Sequence, residues 1–181
     1  WKGRWGFDYH FYRPLVLSAR QHGSRILAIN APNDIVKKVA REGLKGLDEN
    51  ERKKLPKEID LSNKAHRAYL HEIYEKHSHN DLKKFETFYE AQCVWEDTMA
   101  HNLAEHLSQN KRKLVVFTGI GHIVNKFGIP DRTVRRFPTS MVTIIPYPFD
   151  ENVSLLEKKM ADYVWLTADY PHRPMIFNKL Q

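Results

Sequence analysis

Apolar and polar residues follow two different periods along this chain. Four runs are short, continuous and rich in β-branched or aromatic residues: Ile26-Leu27-Ala28-Ile29, Leu114 to Thr118, Met141 to Ile145, and Tyr163 to Leu166. Runs of that kind read as strands covered on both faces. The segments between them read as helices. Pro14 suits the first turn of a helix that runs to about His22, with Gly23 as its stop. Asn30-Ala31-Pro32-Asn33 reads as a turn, and Asp34 as the cap of a helix through Arg41 that ends at Gly43. Asp48 and Glu51 have capping-box spacing, with Pro56 as the stop. Ser62 is placed to cap a polar helix to about His77, and a long helix follows from about Asp81 to Ser108. A further helix after His122 is expected to stop at Gly128-Ile129-Pro130, and a polar helix at Val153 to Ala161. Strands alternating with helices predict an α/β fold, a mainly parallel sheet flanked by helices. From Lys45 to His79 there is no strand signal. The expected division is therefore an α/β domain, 1–43 and 81–181, and a small all-helical insertion, 44–80, projecting from one end.

Candidate chemistry sits at two points of this pattern. The run Val115 to Thr118 ends in Gly119-Ile120-Gly121-His122. That is a strand followed by a tight turn, the place where ligands collect in open α/β sheets. A histidine in the first turn of a helix is kept neutral by the helix dipole and can accept a proton or bind a ligand. The second point is the long helix. At about 100° per residue, Phe85, Phe88, Gln92, Trp95, Met99 and Leu103 share one face, with Glu96 inside it and Tyr89 on its flank. Asp97 and His101 project toward solvent on the same reading. A carboxylate among Phe, Trp and Met must be paired or turned to a cavity. Arg132 and Arg135 are the candidate partners. The expectation is one cavity at the strand ends holding Glu96, Gln92 and His122, with Asn30 and Arg132 near it. The competing reading for Glu96 alone is a structural ion pair in the core. His66, His71, His77 and His79 lack the spacing of paired metal ligands on one helix and read as surface residues.

Composition narrows the partners without naming one. The chain has 181 residues, a net charge of +7 and a pI near 9.4, which suits anionic ligands. Its basic residues are scattered rather than gathered in a tract, so no nucleic-acid partner is expected. A single cysteine, Cys93, excludes an intrachain disulfide and a multi-cysteine zinc site. No apolar run has the length of a membrane span. The chain opens at Trp1 in dense aromatic sequence, without an initiator Met, and an N-terminal portion is expected to be missing.

Several ordered motifs carry a family resemblance. Ala91-Gln92-Cys93-Val94-Trp95-Glu96-Asp97-Thr98-Met99-Ala100 resembles the Ala-Gln-x-x-Trp-Asp-x-x-Met-Ala signature of the ChaN-like haem-binding lipoproteins. So do Trp5…Tyr12-Arg13-Pro14-Leu15, Ala28-Ile29-Asn30-Ala31-Pro32, Thr118-Gly119-Ile120-Gly121-His122, Gly128-Ile129-Pro130-Asp131-Arg132 and Asp162-Tyr163-Val164-Trp165. The resemblance implies a parallel α/β domain with a smaller helical one. It implies haem as cofactor, bound in iron uptake through a tyrosine at a homodimer interface, with basic and histidine side chains on the propionates. Tyr89, beside the signature, and Tyr74, in the helical insertion, are the candidate ligands. Asn30, Gln92, Glu96, His122 and Arg132 complete the expected binding set. The resemblance also implies a bacterial cell-envelope location, with membrane attachment only through a lipid anchor outside this chain. Two departures stand out. Glu96 replaces the family's aspartate, and the Gly-Glu-x-His motif of the wider Tiki, TraB and erythromycin-esterase group is absent. That wider group supplies the alternative: a metal-dependent hydrolase in which His122 binds metal or acts as base and Glu96 is acid, base or ligand.

Overall fold

A computed structural model describes residues 7–76, 84–110, 113–149 and 156–168. The helices are α1 (Tyr9–Gln21), α2 (Asn33–Glu42), α3 (Glu49–Arg52), α4 (Lys64–Lys76), α5 (Phe85–Gln109) and α6 (Ile129–Arg136). Short 3-10 turns occupy Leu44–Gly46, Ile120–His122 and Val124–Lys126. The strands are β1 (Ile144–Pro148) and β2 (Tyr163–Thr167), paired in parallel with Ile144 opposite Tyr163. The fold is α/β, with helices dominating and a small sheet.

The local signals that depend only on near neighbours form as read. Asp48 accepts from the Asn50 and Glu51 N–H groups while Glu51 reaches back to the Asp48 N–H. Gly43, at φ 76°, ends α2 in a conformation that disfavours side chains. Other boundaries differ. Asp8, not Pro14, starts the first helix, by accepting from the His10 N–H at 2.9 Å, so Pro14 lies inside α1. The first turn of α4 is capped by Asn63, whose Oδ1 accepts from the His66 N–H, while Ser62 turns to Asp60. Gly128-Ile129-Pro130 opens α6 instead of stopping a helix, because Pro130 falls in the first turn where no N–H is needed. The segment after His122 makes 3-10 turns, with Asn125 and Lys126 both at positive φ.

The sheet is the main correction. Only the last two of the four expected strands pair. Residues 25–30 and 113–118 are assigned to no strand. Ile29 and Leu114 reach the core, but Ile26, Leu27, Val116 and Phe117 are exposed and Val115 is 80% exposed. A parallel sheet is ordinarily covered on both faces; these runs lack cover, and in the pair that does form only Ile145 is buried. In β1 the Phe149 N–H donates to Thr167 O across the pair, so Pro146 and Pro148 fall on the opposite edge, which they strip of donors. Of the expected helix at 153–161, residues 153–155 lie outside the described residues, and 156–161 form a turn.

α5 is the spine of the molecule. On one side Ala91 and Val94 pack with Ile35, Val36 and Val39 of α2 and with Leu55. On a second side Tyr89 and Cys93 meet Leu70 of α4. Toward its C-terminal end Met99 and Leu103 meet Ile129 of α6. Fully burying such an aliphatic side chain contributes roughly 1.5–3 kcal/mol. The described part of the expected insertion, 44–76, thus runs along α5 and shares these clusters.

Candidate functional site

Glu96 lies on α5 at 0% exposure and takes its partners from three other elements. His122, in the Gly-Ile-Gly-His turn, puts Nδ1 3.2 Å from Glu96 Oε1. Arg132 of α6 puts Nε 3.4 Å from Oε2. His66 of α4 puts Nε2 3.5 Å from the same oxygen. Gln92, one turn before Glu96, donates from Nε2 to Oε1 at 3.3 Å and touches His122 Nδ1. His122 Nδ1 thus stands between the Glu96 carboxylate and the Gln92 amide. The His122 ring meets Trp95 edge-on at 5.1 Å, and Trp95 Nε1 donates to Asn30 Oδ1. The structure therefore brings together Asn30, Gln92, Glu96, His122 and Arg132 at the end of the 25–30 and 113–118 segments. Arg135 is not part of this group; it pairs with Asp60 and Asp131.

Gly128 is what lets α6 approach. A Cβ there would stand 2.7 Å from the Glu96 carboxyl carbon and 2.7 Å from the His122 carbonyl, and its φ is +66°. From the sequence this glycine is expected to help stop a helix, whereas it precedes the first turn of α6. Its second role, close approach to a buried carboxylate, has no local signature.

Asp97 is a correction. Expected in solvent, it is fully buried. Its Oδ2 accepts from the Asp60 N–H at 2.9 Å and from Arg132, and its Oδ1 lies 2.6 Å from Arg136 Nη2. Burial pushes its carboxyl upward, against the pull of both guanidiniums. A single-stripe wheel fails on α5 because α2, α4 and α6 cover it from different sides. His66, read as a surface residue, is 1% exposed, whereas His71 and His101 are exposed. His77 and His79 lie outside the described residues. Two arginines face two carboxylates, so the network balances its charge without the histidines.

The two candidate tyrosines have different surroundings. Tyr89 is 1% exposed; its hydroxyl donates to the Leu61 and Asn63 carbonyls at 3.4 Å, and burial pushes it well above the usual phenol range. Burial likewise pushes the neighbouring Cys93 thiol to about 12. Tyr74 is half-buried and away from the Glu96 network, with its ring 5.6 Å from Phe85 and 5.5 Å from Phe88. His71 stands edge-on to Phe85 at 4.6 Å, and the Arg67 guanidinium lies over Phe85 and Tyr89 at 5.0 Å. This aromatic face, with cations at its margin, has the chemistry to take a flat apolar ring bearing carboxylates. No group of three or more His, Cys, Asp or Glu side chains that could hold a metal ion occurs among the described residues. No helix among them is long and apolar enough to cross a membrane.

A family model described as haem-binding uptake, Tiki superfamily, ChaN, matches residues 1–133, a span that includes α1 to α5, the His122 turn and most of α6. No curated protein and no solved structure matches.

Proposed function

The chain belongs to the ChaN haem-binding uptake family of the Tiki superfamily, and from that premise we propose that it holds hemin on the aromatic face between α4 and the start of α5. The family match carries this reading. The fit of the face supports it: Tyr74, Phe85 and Phe88 offer rings for the macrocycle, and Arg67 and His71, both against Phe85, offer hydrogen-bond donors for the propionates. Bound hemin would supply a ferric iron that favours a hard anionic oxygen donor. Tyr74 is the proposed donor. Tyr89 is the poorer choice, since its hydroxyl is turned to the Leu61 and Asn63 carbonyls and its core position disfavours the phenolate. In this reading Gln92, Glu96, His122 and Arg132 hold the scaffold behind the face. Two copies of the chain would cover both sides of the macrocycle better than one. The setting we propose is the bacterial cell envelope, with a lipid anchor outside this chain.

Hemin titration tests the reading. The expected result is a saturable Soret band with a high-spin ferric spectrum, lost in Tyr74→Phe and kept in Tyr89→Phe, together with a hemin-dependent doubling of mass in light scattering. Loss in Tyr89→Phe alone would move the ligand. No saturable band, together with metal-dependent ester or peptide hydrolysis that needs His122, would replace haem binding with the hydrolase alternative.

A further inference from the structure

Helix α4 is held to the rest of the molecule by an unusual pair of anchors. Of its residues only His66 and Leu70 are buried. Leu70 packs conventionally against Tyr89 and Cys93. His66 does not: neither of its ring nitrogens has a hydrogen-bond partner, although the residue is 1% exposed. Its ring is wedged between Tyr89 at 5.8 Å and Phe127 at 5.6 Å. A buried polar group without a partner calls for an explanation of its own.

The groups that face His66 decide what a proton on it would do. From α5 come Glu96, at 3.5 Å, and the Tyr89 ring. From α6 come Arg132 and, farther off, Asp131; from the Gly-Ile-Gly-His turn comes His122. Among the described residues Glu96 is the close carboxylate, and Arg132 Nε and His122 Nδ1 already stand against it at 3.4 and 3.2 Å. An imidazolium at His66 would therefore have to share Glu96 with Arg132, which Asp97 also holds, at a site only 1% exposed. Burial opposes the charged form most; Glu96 favours it, and Arg132 and His122 oppose it again, so the balance keeps the seated imidazole neutral. In α4 released from its seat the same imidazole would titrate normally. Solvent is near enough to deliver the proton: an open cavity of about 420 Å³ is lined by Phe127, Asn63 and Pro130, so it ends one ring away from His66.

We infer that His66 is an acid-operated latch: proton uptake on its imidazole frees α4 from α5 while α2, α5 and α6 stay packed. The other contacts of α4 are less buried than these two anchors, and include the Arg67–Glu86 pair, Arg67 and His71 against Phe85, and the half-buried side chains of Tyr69, Ile73 and Tyr74. At its N-terminal side the chain stays tethered, since the Asp60 N–H remains bonded to Asp97. The latch goes beyond haem binding and does not depend on it. Its consequence for the aromatic face is direct, since Tyr74 and His71 ride on α4 while Phe85 and Phe88 ride on α5.

Hydrogen exchange of the full chain without hemin, followed segment by segment from pH 7.5 to pH 5, tests this. Protection factors of the α4 amides, corrected for intrinsic exchange, should fall about tenfold per pH unit once the pH is below ~6.5, the ordinary histidine value. Those of α5 residues 91–104 and of α6 should stay level. In His66→Gln and His66→Phe the α4 protection should lose this slope. A flat α4 profile in the wild-type chain overturns the latch. So does loss of protection in α4, α5 and α6 together, which would be ordinary acid unfolding. An unchanged slope in either variant that folds also overturns it, and the wild-type profile decides the matter if neither folds.

Discussion

Arg132 answers two carboxylates that are adjacent in sequence yet both buried. It meets Asp97 through Nη1 and Glu96 through Nε, and its Nη2 donates to Cys93. Truncating one member of a buried ion network leaves the others charged and unpaired, which costs about 3–5 kcal/mol, more than the network itself contributes. Arg132→Met should therefore lower the unfolding free energy by about that amount in urea titration. Adding Glu96→Gln and Asp97→Asn should return part of the loss, because the stranded charges go with the arginine. A triple variant no more stable than Arg132→Met would mean that packing, not charge, is what Arg132 provides. How far this network was legible follows from its parts. Glu96, Gln92, His122 and Arg132 could be read because a carboxylate on an apolar stripe and a glycine-bounded histidine are local anomalies. Asp97 and His66 could not: each is polar on a face that looks solvated until a helix from elsewhere in the chain covers it.

At the scale of elements, the same distinction holds between signals that are local and signals that need a partner. The capping box of α3 forms as read, because Asp48 and Glu51 are three residues apart and complete each other. Asp48→Ala should destabilise the protein by about 1 kcal/mol, seen as a lower urea midpoint with an unchanged slope. Glu51→Gln should cost less in the box, since an amide can still reach the Asp48 N–H, although it gives up the ion pair with Lys38. A null effect of Asp48→Ala would show that α3 is held by Leu55 and its neighbours alone. Strands are the opposite case. Leu114 to Thr118 has the composition of a buried strand, but composition does not supply the neighbour that would cover Val115 and Phe117. Two expected strands therefore remain extended segments. Pro130 shows a third kind of difference: a proline reads equally well as a stop or a start, and Gly128 at positive φ settles it as a start.

At the scale of the whole molecule, the small sheet is tied to the helical body through Asp162. Its carboxylate accepts from the Thr143 N–H and hydroxyl at the head of β1 and pairs with Lys126 before α6. The Lys126 ammonium and the Thr143 N–H together hold this carboxyl at about 2, below the ordinary 3.8. Because the folded state holds the proton less tightly than the unfolded chain, the tie is fully present above pH 4 and is lost as the pH falls through about 2. Asp60, also held at about 2 despite its burial by the Ser62 N–H and hydroxyl and by Arg135, adds to the loss over the same window. Exchange of the Thr143 and Tyr163 amides should accelerate between pH 4 and pH 2 in the wild-type chain. In Asp162→Asn it should be fast already at pH 5 and change little on acidification. Identical profiles in the two proteins would remove Asp162 from this role.

The placement of α5 at the centre also sets a clock on biosynthesis. Asp97 finds its arginine 35 residues later in the chain. Translation at about 5–20 residues per second separates the two by roughly 2–7 s. During that interval the helix that nucleates every hydrophobic cluster carries two acidic side chains whose buried seats do not yet exist. Its first half can dock on α2 as soon as it is made, because those partners precede it. Its second half waits for α6, so the nascent chain matures from the middle of α5 outward in two stages, with the second gated by the arrival of the two guanidiniums of α6, Arg132 and Arg136.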